Sequence, residues 1–166
     1  HSLTLDLKRL IPLIALLVLG QHSLAQNVSI IHLDDLEGRL SLGKDTTYVV
    51  NFWATWCAPC VKELPYFERL QFERANDPVK VLLISLDFTE HIESKVIPFI
   101  KRKALISEVS VLDEQDDNVW IPRVSNEWSG AIPATLFVNK TKNTRHFHEG
   151  SFKEGELKSL LTELGL

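Results

Sequence analysis

No methionine occurs anywhere in this sequence, position 1 included, and cysteine occurs only twice, at Cys57 and Cys60. The first absence leads us to expect that the natural chain begins a few residues upstream. The second excludes a four-cysteine metal site and a multi-disulfide framework. No apolar run approaches the ~20 residues needed to span a bilayer; the best candidate stops at Gly20 after starting at Leu10, and it contains Pro12. Basic stripes and basic runs interleaved with aromatics are missing as well. With 18 Lys+Arg against 22 Asp+Glu the net charge is −4, so no nucleic-acid partner is expected. Internal repeats and low-complexity linkers are absent too. A chain of 166 residues with 45% apolar and 24% charged side chains is therefore expected to form one domain, large enough to bury a core without covalent staples.

The first 25 residues stand apart from that domain. Lys8 and Arg9 precede the apolar stretch, and Ser23-Leu24-Ala25 places small residues where a signal peptidase reads. This three-part layout predicts a secretory signal peptide over 1–25, cleaved after Ala25, and an exported domain over 26–166. An uncleaved segment would leave a membrane tether instead. No cysteine follows the apolar stretch, which argues against a lipid anchor.

Within the domain, hydrophobic periodicity marks the elements. Val28, Ile30 and Leu33 suggest a short strand, and Glu37-Gly38-Arg39 a turn leading into another. Tyr48 to Trp53 is apolar except for Asn51, as suits a central strand covered on both faces. From Cys57 the period changes: Val61, Leu64, Phe67 and Leu70 recur at three and four, predicting an amphipathic helix that Pro65 should kink and Asn76-Asp77-Pro78 should end. Val79 to Phe88 reads as a second buried strand, Glu90 to Leu105 as a helix interrupted by Pro98, and Glu108 to Leu112 as a short strand. The acids of Asp113 to Asn118 read as a solvated turn, since they lack the glycine and ligand spacing of a calcium loop. Ala134 to Asn139 and Thr144 to Glu149 predict a hairpin. Ser151 with Glu154 resembles a capping box for a last helix carrying Leu157, Leu160, Leu161 and Leu164. Strands alternating with helices and closing in a hairpin imply an α/β fold, a central mixed sheet with helices on both faces.

The cysteines sit where strand gives way to helix, and a C-x-x-C there reads as a dithiol/disulfide redox centre. As a staple the pair is a poor explanation, because closing so short a loop contributes only about 2 kcal/mol. As half a zinc site it lacks a second ligand pair; His146 and His148 would share a strand face but are expected to point to solvent. In the redox reading no metal and no separate cofactor is needed beyond the Cys57–Cys60 disulfide. Cys57, at the first turn, would have its thiolate favoured by free backbone N–H groups and the helix dipole, and Pro59 suits a first turn because it has no N–H to waste. Cys60, one turn in, should be more buried. Cys57 is thus expected to attack a substrate disulfide and Cys60 to resolve the mixed disulfide.

These residues resemble the thioredoxin superfamily. Trp53-Ala54-Thr55-Trp56-Cys57-Ala58-Pro59-Cys60 is similar to its W-x-x-W-C-x-P-C centre, Pro65 to the proline of its active-site helix, and Ile132-Pro133-Ala134-Thr135 to its cis-proline loop. The resemblance implies a thioredoxin fold in which Ile132 and Pro133 face the disulfide and bind substrate backbone. Val61-Lys62-Glu63-Leu64-Pro65 and the long stretch between Asp87 and Gly130 narrow it to TlpA/ResA-like thiol-disulfide oxidoreductases, which carry a helix-plus-strand insertion before the cis-proline, here over 89–130. Asn51 stands where thioredoxin has a buried acid, and the resemblance moves that role to Glu63, one turn from Cys60; spacing alone leaves Glu63 equally readable as a solvated glutamate. Trp56 is expected to form the surface around an exposed Cys57 sulfur, and Trp53 to be core. Trp120 and Trp128 could be core or docking surface.

The expectation is an exported, periplasmic, monomeric protein-disulfide reductase. Its partners would be protein disulfides, cytochrome c precursors among them, and a membrane thiol carrier as electron donor. Two other readings compete. A thiol peroxidase would want a lone peroxidatic cysteine, against which Cys60 argues. A redox-inactive peptide-binding module would not need both cysteines and the proline intact.

Overall fold

The computed structural model describes residues 27–166; the expected signal segment, 1–25, lies outside the described residues. Six strands form one sheet: β1 (Ser29–Ile31), β2 (Thr47–Trp53), β3 (Val79–Ser85), β4 (Glu108–Leu112), β5 (Ala134–Asn139) and β6 (Thr144–Glu149). Their spatial order is β1-β4-β3-β2-β5-β6. β1, β4, β3 and β2 run parallel to one another, while β5 pairs antiparallel with β2 and β6 antiparallel with β5. The sheet is mixed, and β2 lies inside it with every residue buried.

Alternation along β2 sends its side chains into two separate cores. Val49 and Trp53 face α2 (Ala58–Glu73), α3 (Ile97–Lys103) and α5 (Glu156–Glu163), where Phe67, Phe99 and Leu161 join them. Tyr48, Val50 and Phe52 face α1 (Leu33–Leu42) and α4 (Asp117–Val124), with Leu36, Leu40, Trp120 and Trp128. Helices therefore cover both faces, as in the thioredoxin fold the motifs implied.

Several elements differ from the expectation. The second strand expected after Glu37-Gly38-Arg39 is instead helix α1. Leu33, Leu36 and Leu40 recur at helical spacing and are all buried. Asp35 Oδ2 accepts the His32 N–H at 2.9 Å, half of a capping box that starts the helix. Gly38 lies inside this helix at a position where a Cβ would meet nothing within 4 Å. The acidic turn at 113–118 runs into α4, whose N-cap Asp116 accepts the Asn118 N–H at 3.0 Å. This helix buries Trp120 and Val124 despite Pro122. The insertion thus holds α3, β4 and α4, and Trp120 and Trp128 are core residues at 4% and 5% exposure.

Boundaries also shift. β3 ends at Ser85 rather than Phe88, and α2 ends at Glu73. The helix expected from Glu90 is a 3-10 turn (Thr89–His91), a π turn (Ile92–Val96) and then α3. Pro98 lies in the first turn of α3, where no intrahelical donor is lost. The last helix starts after Gly155 at φ +81°, not at Ser151; its own Glu156 accepts the Lys153 N–H at 2.7 Å.

Candidate active site

β2 delivers the chain to the cysteines. After Trp53 a tight turn forms, closed by the Cys57 N–H to the Ala54 carbonyl at 3.2 Å, and α2 begins at Ala58 with Cys57 as its N-cap. The cysteines form a disulfide with Cα atoms 5.2 Å apart. Cys57 Sγ accepts the backbone N–H of Cys60 at 3.3 Å. The sulfur therefore already occupies the position in which free helix N–H groups would stabilise a thiolate once the bond is reduced.

Cys60 is fully buried, and Cys57 is only 6% exposed. The expectation of an openly exposed Cys57 sulfur is thus corrected: in the closed disulfide, Sγ is turned toward Cys60 and lies 3.8 Å from the Ile132 carbonyl oxygen. The Ile132–Pro133 peptide bond is cis. Gly130 opens this loop at φ +93°, a conformation available to glycine without a Cβ penalty.

Trp53, at the end of β2, and Trp56, in the turn that follows, point apart. Trp53 is fully buried against Phe99, with ring centroids 5.2 Å apart, whereas Trp56 is 66% exposed. Trp56 and Ile132 line the same groove beside the disulfide.

Glu63 is not a solvated helix-face residue, since only 1% of it is exposed. Its carboxylate turns inward from α2. Oε1 accepts from Asn51 Nδ2 at 2.9 Å, and Oε2 accepts from the Phe152 N–H at 2.7 Å. Asn51 Nδ2 also donates to Thr135 Oγ1 at 3.2 Å, tying β2 to the strand that follows the cis-proline. Burial pushes the Glu63 carboxyl up to about 7, against the two hydrogen bonds, which favour the ionised form. Proton exchange near neutral pH is what an acid/base group requires. Among the described residues Asn51 Oδ1 is buried with no hydrogen-bond partner; the carboxyl of this interior is on α2, and the Asn51 amide on β2 donates to it.

Asp87 was not singled out by the sequence, where it passed as the end of an apolar strand. It is 97% buried from solvent, given a 3% exposure, and it clamps the turn before Cys57. Oδ2 accepts the Thr55 N–H at 2.8 Å and the Ser85 hydroxyl at 2.7 Å; Oδ1 accepts the Thr55 hydroxyl at 2.6 Å. An acid closing an apolar run was the available signal, because such a charge must be met by donors.

His146 and His148 do share a face of β6, but they are half-buried rather than solvent-facing. The His146 ring lies 6.1 Å from that of Phe137, and His148 stacks on Phe152 at 4.3 Å. Among the described residues no group of three potential metal ligands occurs. No described helix is long and apolar enough to cross a membrane.

Residues 23–164 match the Redoxin family. The chain belongs to that family. Among Redoxin relatives, it is 28% identical over 142 residues to "Thiol-disulfide oxidoreductase ResA" of Oceanobacillus iheyensis, covering 82% of this chain but only 62% of that protein. A protein of the same name from Geobacillus thermodenitrificans is 28% identical over 136 residues, covering 80% of this chain and 72% of its own. The fold is shared with a thioredoxin-related protein of Neisseria meningitidis serogroup B (TM-score 0.61, 23% identity, 74% and 87% coverage). It is shared also with StoA of Bacillus subtilis (TM-score 0.52, 22% identity, 74% and 84% coverage). At those identities the structures speak for the fold alone. The relatives support the TlpA/ResA-like placement within the thioredoxin superfamily.

Proposed function

We propose that this chain is an exported thiol-disulfide oxidoreductase that reduces disulfides in protein substrates. The observation that carries the reading is the Cys57–Cys60 disulfide at the start of α2, its N-cap sulfur held by the Cys60 N–H and facing the cis Ile132–Pro133 loop.

In the reduced protein, the Cys57 thiolate attacks one sulfur of the substrate disulfide. A mixed disulfide forms and one substrate thiolate leaves, taking a proton from solvent. Cys60 then gives up its proton and attacks Cys57 Sγ; the intramolecular disulfide closes and the second substrate thiolate departs. Two electrons and two protons pass to the substrate. Glu63, neutral or ionised near pH 7 and one turn from Cys60, is the group that handles the resolving proton. Ile132 and Pro133 hold the substrate backbone, and Trp56 covers one side of the attacked bond. A membrane thiol carrier restores the dithiol, cytochrome c precursors are among the substrates, and the protein works as a monomer.

Reduction of insulin with dithiothreitol as the electron source tests the reading. Wild-type protein should accelerate precipitation of the insulin B chain, and Cys57→Ser should return the rate to that of dithiothreitol alone. Unchanged acceleration by Cys57→Ser would remove the redox assignment.

A further inference from the structure

Two grooves flank the candidate active site, and Trp56 is a wall of both. On the side of the cis-proline loop a groove of about 560 Å³ is lined by Trp56, Phe88 and Ile132 together with Glu90, Asp113, Glu114 and Asp117, and by no lysine or arginine. On the other side a groove of about 690 Å³ is lined by Trp56, Ala58 and Val61 together with Lys62, Lys95, Arg102 and Lys103, and by no acid. Among the described residues none of these four cations lies in an ion pair with a carboxylate, and none of the four acids pairs with a lysine or arginine. Elsewhere on the surface, charges do pair: Arg39 with Glu108, Arg69 with Glu154, and Arg123 with Asp34 and Glu37. Glu114 lies 3.8 Å from the His32 ring; among the described residues the other seven charges have no ion-pair partner, and their sorting by sign on the two sides of one disulfide gives the site a polarity along the direction a bound segment must take.

Between the two charged grooves lies an apolar contact. Trp56, the residue that lines both, is 66% exposed, and Phe88, on the acidic side, is 68% exposed. An exposed indole between fields of opposite sign offers an apolar contact to the residue beside a substrate cysteine, while the fields sort its flanks.

We propose that the oxidoreductase assigned above selects disulfide-bearing segments that are themselves bipolar: cationic on the flank that enters the Glu90/Asp113 groove and anionic on the flank that enters the Lys62/Lys95 groove. This inference rests on the proposed disulfide reduction and names its substrate class. The two fields fix the direction in which the segment crosses Trp56, and so decide which of its sulfurs meets Cys57. Electrons and protons balance as before, with the reduced Cys57/Cys60 dithiol supplying both electrons to the peptide disulfide.

The experiment is single-turnover reduction of synthetic peptide disulfides by prereduced protein. Three peptides share one disulfide core and differ only in flanks: lysines before and glutamates after, the reverse order, and neutral serines on both sides. One bipolar order should react about tenfold faster than the other at low ionic strength, and the ratio should shrink toward one as salt screens the fields. The combined variant Glu90→Lys, Asp113→Lys, Lys62→Glu, Lys95→Glu should invert which order is preferred. Because the readout is a ratio between two peptides on one protein sample, partial unfolding of the variant cannot imitate inversion. Equal rates for both orders, or a preference unchanged by the fourfold variant, would overturn the proposal. Reaction of the neutral peptide reports on the redox assignment separately: if it is not reduced either, the failure lies there.

Discussion

The two faces of the sheet are built from neighbouring residues of one strand, yet they have different chemistry. Toward α1 and α4, β2 presents Tyr48, Val50 and Phe52 to an interior of aliphatic and aromatic side chains in which Phe52 packs on Trp128 at 4.8 Å. Toward α2, it presents Val49, Asn51 and Trp53, and beside Asn51 the interior admits a carboxyl, an amide and a disulfide. The first face is what a sequence selected only for stability would build. The second tolerates a buried acid at a cost, because removing a carboxylate from water disfavours its ionised form. One strand therefore separates a structural face, carrying Tyr48, Val50 and Phe52, from a chemical one, carrying Val49, Asn51 and Trp53 in the alternate positions.

The largest effect that would test this division lies on the structural face. Phe52→Ala should lower unfolding free energy by about 3–5 kcal/mol through lost transfer energy and a cavity. In urea unfolding the loss should be the same at pH 5 and pH 8. A loss that varied with pH would show the two faces to be coupled.

On the chemical face the dependence on pH should be large. Below the ordinary carboxyl value of 4.5, Glu63 is protonated in both folded and unfolded chains, and its contribution to stability is complete. As pH rises toward 7 the unfolded chain sheds its proton first, so oxidised protein should lose on the order of 3 kcal/mol across that window and then level off. Glu63→Gln should abolish this slope. A slope that persisted in the variant would assign it to another group.

The smallest of the three concerns the turn that joins the faces to the site. Asp87→Asn keeps the shape but replaces one acceptor oxygen by a donor facing donors. It should cost about 1–2 kcal/mol in thermal unfolding, and insulin reduction should slow because Thr55 no longer fixes the turn before Cys57. Full activity with intact stability would show that the clamp is dispensable.

Legibility in the sequence followed how local each signal was. β4 has the bounds expected of the short strand, Glu108–Leu112, and the cysteines and Pro133 were singled out because their motifs are contiguous. α1 escaped because His32 is an unusual cap and Gly38 reads as a turn; only burial of Leu33, Leu36 and Leu40 against the sheet makes a helix there. α4 escaped because the acids at its start suggested a solvated turn, while Trp120 supplied packing that propensity does not record. Glu63 was singled out, but its inward direction was not legible, since Asn51 and the Phe152 N–H reach it from 12 and 89 residues away. The clamp at Asp87 likewise joins β3 to a turn that lies 32 residues earlier.

β1 is only three residues long, pairing with β4 from Ser29 opposite Ser110 to Ile31 opposite Leu112, with the two serine hydroxyls 2.9 Å apart. Its brevity has a consequence for self-association. β4 carries Val109, Val111 and Leu112, and without β1 its outer backbone groups would be an open template for another chain's strand. A three-residue cover closes that template while presenting almost no template of its own. The opposite margin is β6, where exposed Arg145 and Glu149 make an uninviting border for a second sheet. Both margins of the sheet are thus guarded against intermolecular pairing, one by a short cover and the other by charge.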